Sequence, residues 1–108
     1  MTVKQLTELE FFSSVTLPDP ERSIDGVYIG DLLSWVMGRA SSGDAWITIM
    51  SNVNILAVAS LADTACIIVA ENVKLDDVVI KTAEEKNINI IYSAVGAYET
   101  ALALSKAL

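Results

Sequence analysis

The chain has 108 residues, 7 Lys+Arg against 14 Asp+Glu, a net charge of −7, and 53% hydrophobic against 19% charged residues. This length supports one compact core, while the hydrophobic excess excludes a disordered regulator and the scattered cations exclude a nucleic-acid surface, which gathers Lys and Arg on one face. Apolar residues beyond what a small core holds must be covered by something else, so the composition predicts a homo-oligomer, with a dimer favoured.

Val3, Leu6 and Leu9 recur at helical spacing and predict a short helix over residues 2–10. Phe11 to Thr16 reads as extended, Pro18-Asp19-Pro20 interrupts pairing because proline lacks the amide donor, and Ile24 to Ile29 resumes a strand. Together these two extended segments read as an irregular hairpin. Leu32, Leu33, Trp35, Val36 and Ala40 then make a helical face that ends at Ser41-Ser42-Gly43-Asp44.

From Ala45 the rhythm alternates: strand Ala45 to Met50, helix Val53 to Ala62, strand Cys66 to Ala70, helix Leu75 to Lys86, strand Ile88 to Tyr92, helix Val95 to Ala107. In the helix from Leu75, the expected buried face is Leu75, Val78, Val79, Thr82 and Ala83, and Asp76 and Asp77 suit its positive N-terminal end. Alternation of this kind implies right-handed crossovers. The predicted fold is α/β, a mostly parallel sheet of four to five strands with helices on both faces. Asn54 to Ala62 is apolar nearly all round, so it should bury one face on the sheet and another on neighbouring helices or a second subunit. Trp35 and Trp46 are both expected to bury their rings, in the core or an interface.

Histidine is absent, which removes Ser-His, Cys-His and His-metal sites from the chain. Cys66 lies in an apolar run and reads as a buried small hydrophobe, with no second cysteine to pair. A lone cysteine and an N-terminus without an apolar h-region favour a cytoplasmic location. Between Ala45 and Ala70 the only charge is Asp63, but Thr48, Ser51, Asn52, Asn54, Ser60 and Thr64 break the run, so no membrane span is expected. Neither a metal nor a cofactor is expected. Ligands of parallel α/β sheets sit beyond the carboxyl ends of the strands. Ser51, Asn52 and Asn54 in the first such loop either cap the next helix or hold an anion or polar small molecule. Glu71 in the second opposes phosphate; in the third, Ser93 caps and Tyr98 lines a pocket or packs. Asp25, Asp31 and Asp44 read as turn and cap residues; Asp31, Asp44 and Glu71 are the acids an enzyme would use, although the residue types argue against an enzyme.

Several segments together resemble the DRTGG domain family, which is similar in organisation to the N-terminal domain of HPr kinase/phosphorylase. They are Gly26-Val27-Tyr28-Ile29-Gly30-Asp31-Leu32-Leu33-Ser34-Trp35-Val36-Met37, Asp44-Ala45-Trp46-Ile47-Thr48-Ile49 with Asn54-Ile55-Leu56-Ala57-Val58-Ala59, Ala65-Cys66-Ile67-Ile68-Val69, and Ile91-Tyr92-Ser93 with Ala97-Tyr98-Glu99-Thr100-Ala101. The resemblance spans residues 1–108 as a single DRTGG-like domain. It implies a stand-alone, non-catalytic regulatory or small-molecule-sensing role, a connection with redox and hydrogenase metabolism, and a signalling or metabolic protein partner. Family members carry a Gly-Asp-Arg loop after the first core strand and a glycine pair after the next; here Met50-Ser51-Asn52 and Ala70-Glu71 stand there. The ligand-binding candidates are therefore Ser51, Asn52, Asn54, Glu71, Ser93, Tyr98 and Thr100. The alternative is an oligomeric protein-interaction subunit with no ligand.

Overall fold

The computed structural model describes residues 1–108. Its elements are α1 (Val3–Leu6), β1 (Phe12–Thr16), β2 (Gly26–Ile29), α2 (Leu33–Arg39), β3 (Asp44–Thr48), α3 (Asn54–Ala62), β4 (Cys66–Val69), α4 (Asp77–Glu85), β5 (Ile90–Ser93) and α5 (Ala97–Ala107). One five-stranded sheet has the order β1-β5-β4-β3-β2. Strands β2 to β5 are mutually parallel, and only β1 runs against its neighbour, β5. The α/β class read from the alternation is the class observed.

β3 and β4 are buried along their whole length, as befits central strands of a parallel sheet covered on both sides. Period-two alternation divides their side chains cleanly. Trp46, Ile67, Val69 and Ile90 face one core with Val36, Ile55, Leu56 and Val79; Ala45, Ile47, Cys66, Ile68 and Ile91 face the other with Val3, Leu6 and Leu104. Because β2, β3, β4 and β5 succeed one another in a single direction, right-handed crossovers put α2, α3 and α4 on the same face. The opposite face is left to α1 and α5.

Four expectations need correction. β1 and β2 form no hairpin: they lie at opposite edges of the sheet, β1 on β5 and β2 on β3. The Pro18–Pro20 segment carries the chain under the sheet, and buried Asn89 (3% exposed) latches it. Its amide nitrogen donates to the carbonyls of Asp19 (2.7 Å) and Ala65 (3.0 Å), and its oxygen accepts from the Asp19 N–H at 3.0 Å. Val78 is 72% exposed, since α4 buries only the Val79–Ala83 stripe. Trp35 is also open, 53% exposed with Arg39 stacked 4.0 Å from its ring centre, whereas Trp46 is fully buried and its indole N–H donates to the Gly30 carbonyl at 2.9 Å. Finally, α1 stops at Leu6, closed by Thr2 in a capping box at one end and Thr7 at the other, although Leu9 still packs on the second core.

At the amino edge of the sheet Arg22 is paired with Asp63, Nη1 to Oδ1 at 3.1 Å and Nη2 to the carbonyl at 2.9 Å, and the Ser42 hydroxyl also donates to Asp63. Asp63 takes a left-handed backbone (φ 58°) that ends α3. The Arg22 and Ser42 hydrogen bonds hold its carboxyl below the usual carboxylate range, and that with Asp63 raises the pKa of Arg22.

The two tryptophans should separate in acrylamide quenching into one accessible and one protected population, and Trp35→Phe should leave only the protected emission. The lowered carboxyl of Asp63 adds stability that is fully present above the ordinary aspartate range and is lost as pH falls through the folded-state value. Asp63→Asn, which tolerates the same backbone, should therefore lower stability at pH 7 by under about 1 kcal/mol, as for other exposed pairs. The difference from wild type should shrink as pH falls through the carboxylate range, as read from urea midpoints at pH 7 and pH 2.5.

Candidate functional site

All seven candidate residues lie at or beyond the carboxyl ends of β3, β4 and β5, or in the helix that follows. Ser51 and Asn52 are exposed between β3 and α3, and Asn54, also exposed, opens α3. The Asn52 side-chain oxygen accepts from the Asn54 N–H at 2.9 Å, a local turn that opens α3. Ser93 and Thr100 are completely buried, and their hydroxyls meet at 2.7 Å. Thr100 also reaches the Gly96 carbonyl at 2.7 Å, and the Val95 N–H donates to Ser93 Oγ at 3.4 Å. These two hydroxyls fasten the first turn of α5 to the end of β5. Tyr98, 74% exposed, lines no concavity.

Glu71 occupies a more demanding position. Both it and Asn72 adopt left-handed backbone, φ 61° and 57°, which costs a non-glycine residue about 1–2 kcal/mol. These are the residues of the β4–α4 loop with a glycine's conformation, one position beyond the pair that the resemblance sets against Ala70-Glu71. The turn is held by hydrogen bonds from the Glu71 N–H to the Val95 carbonyl (2.8 Å) and from the Asn72 N–H to the Ser93 carbonyl (3.1 Å). It brings the Glu71 carboxylate to the start of α5: an ideal Cβ on Gly96 would lie 3.1 Å from Glu71 Oε2 and 3.0 Å from Glu99 Oε2. Gly96 is the N-cap of α5 and offers no side-chain cap, so two carboxylates face the positive end of the helix. No motif in the sequence announces this grouping. It depends on the left-handed turn at Glu71 and on the absence of a side chain at Gly96.

Two of the three acids that an enzyme would use are engaged, and the third, Glu71, is exposed. Asp31 Oδ1 accepts from the Thr48 hydroxyl (2.8 Å) and the Ile49 N–H (2.9 Å), and Asp44 accepts from the Ser41 N–H at 2.8 Å. Burial pushes the Cys66 thiol up to about 12, so it stays protonated and inaccessible. The surface has two concavities. The larger, about 560 Å³, lies between α5 and the α1–β1 loop and is mainly apolar; the smaller, about 180 Å³, lies at the amino edge near Arg22, Asp63 and Lys86.

The DRTGG domain profile matches residues 20–107. The chain belongs to the DRTGG domain family. The match begins after β1, yet β1 and α1 belong to the same sheet and core. A structural relative extends the likeness to the N-terminal elements: the CBS and DRTGG domains of the regulatory region of Clostridium perfringens pyrophosphatase, solved with the activator diadenosine tetraphosphate. The TM-score is 0.77 at 14% identity over 99% of this chain, which spans 47% of that one. At that identity the likeness is one of fold. Among curated proteins no match is found.

Thr100→Val would leave the buried Ser93 hydroxyl short of its partner and should cost about 1–3 kcal/mol. Tyr98→Ala, on the open side of the same turn, should cost under about 0.5 kcal/mol. Urea denaturation of the two variants makes the comparison.

Proposed function

We propose that residues 1–108 act as one non-catalytic regulatory domain that senses a small molecule at the carboxyl edge of β3, β4 and β5. The observation that carries this reading is the divergence of neighbouring loops. β4 hands the chain to α4 on one face and β5 hands it to α5 on the other, the arrangement at which open α/β sheets hold ligands. Exposed Ser51, Asn52 and Asn54 on the adjoining loop and Glu71 at the divergence supply the polar groups. With Glu71 and Glu99 at the start of α5, this edge favours a ligand that presents donors or positive charge over one that presents phosphate. The engaged carboxylates of Asp31 and Asp44, and a sequence without histidine, support a sensor over an enzyme.

The structural relative supports the regulatory reading through its fold, and its tetraphosphate activator is of opposite character to the acidic edge seen here. No helix is long and apolar enough to cross a membrane. A cytoplasmic location, self-association, and a signalling or metabolic partner tied to redox or hydrogenase metabolism belong to the same proposal, the last resting on the family resemblance. Co-purification from the host tests it.

A thermal-shift panel of amines, amides, sugars, nucleotides and acyl phosphates tests the sensor. A ligand at 100 times its dissociation constant adds about 2.7 kcal/mol, which raises the melting temperature of a domain this size by roughly 10–20 °C. The expected result is a shift by a cationic or neutral compound that Glu71→Gln abolishes. A flat panel would overturn the sensor and leave the interaction subunit.

A further inference from the structure

The larger groove is lined by Leu9, Glu10, Phe11, Val95 and Leu102, with Glu99 and Lys106 along α5. Two independent observations mark it. Phe11 holds a left-handed backbone, φ 78°, an uncommon state for an aromatic residue. It is fixed there by a 3.0 Å hydrogen bond from the Ala94 N–H to its carbonyl, which leaves the side chain 44% exposed in an apolar groove. The second is the order of residues on α5. Glu99, Leu102, Ala103 and Lys106 fall at i, i+3, i+4 and i+7, a single stripe that flanks the groove.

That stripe is complementary to itself when reversed. A two-fold axis crossing α5 between Leu102 and Ala103 places Glu99 and Lys106 about 5 Å to either side along the helix. In an antiparallel pair each Glu99 then stands level with the partner's Lys106, and each Leu102 meets the partner's small Ala103. A two-fold interface requires this self-complementarity. We propose that the groove and the outer face of α5 form a homodimer interface, a second copy of this chain being the occupant. Leu9 and Phe11 extend the apolar contact beside the helix pair. The inference rests on the self-association part of the functional reading and needs no ligand.

Analytical ultracentrifugation of the full chain with a charge-swap series tests it. Wild type should sediment as a dimer. Lys106→Glu should weaken dimerisation roughly 10- to 100-fold by setting like charges together twice, Glu99→Lys should do the same, and the double swap Glu99→Lys/Lys106→Glu should restore the dimer. Circular dichroism confirms that each variant is folded, and Trp35→Ser on α2 should leave the dimer unchanged. A monomeric wild type at 100 μM would overturn self-association altogether. A dimer that the double swap fails to rescue, or that Trp35→Ser dissolves, would overturn this face alone.

Discussion

Burial of β3 and β4 on both faces is the constraint from which the rest of the architecture follows. Strands such as Ala45-Trp46-Ile47 and Cys66-Ile67-Ile68-Val69 have no side that tolerates water, so helices must cover both. The three crossovers between β2 and β5 are of one hand and cover only one face. The other face has to be closed by the chain's two ends. This is why α5 leaves β5 on the side opposite α4, and why two neighbouring loops diverge where the acidic group of Glu71 and Glu99 stands.

The same constraint explains where the apolar surplus goes. Much of it fills two cores, one either side of a single sheet. The remainder lies on several surfaces: Ile29, Leu32, Trp35 and Met37 about β2 and α2, Ile49 and Val53 ahead of α3, Val78 on α4, and Phe11, Tyr98, Leu102 and Leu108 about α5. Helix α3, whose composition most invites a second buried surface, packs against α2 and the sheet and exposes only Leu61 among its large side chains. On α5, Glu99 and Lys106 set charges of opposite sign beside part of this apolar area.

From Asp44 onward the alternation of β-branched runs and helical stripes made the order and type of elements readable, and it misplaced ends by only a few residues. The first thirty residues were harder for physical reasons. β1 and β2 are half-exposed edge strands of mixed pattern, and their pairing is decided by strands far along the chain rather than by the turn between them. Asn89 illustrates the limit: in sequence it is a polar residue at a strand entry, and in the fold it bonds three backbone groups in the interior. At the candidate site, the turn roles of Asn52, Asp31 and Asp44 were legible from residue type, although the side-chain cap expected for α3 is not made. The locking of Ser93 to Thr100 was not, because it depends on α5 folding back over the end of β5. Nor was the approach of Glu71 to Gly96, which depends on two left-handed residues that carry side chains.

The pairing of β1 with β5 also bears on how the chain assembles as it is made. Phe12 has its partner at Ser93, so β1, the earliest of the five strands in chain order, pairs only with the latest. Until then Val3, Leu6 and Phe12, all destined for the core, lack the strands β3 to β5 and Leu104 of α5 that share it. Closing that span is the most non-local pairing of the sheet, the kind of contact that slows folding, and until it forms β5 has no outer neighbour. A chaperone that binds short apolar segments would find its opportunity in α1 and β1, before any ligand or second subunit matters.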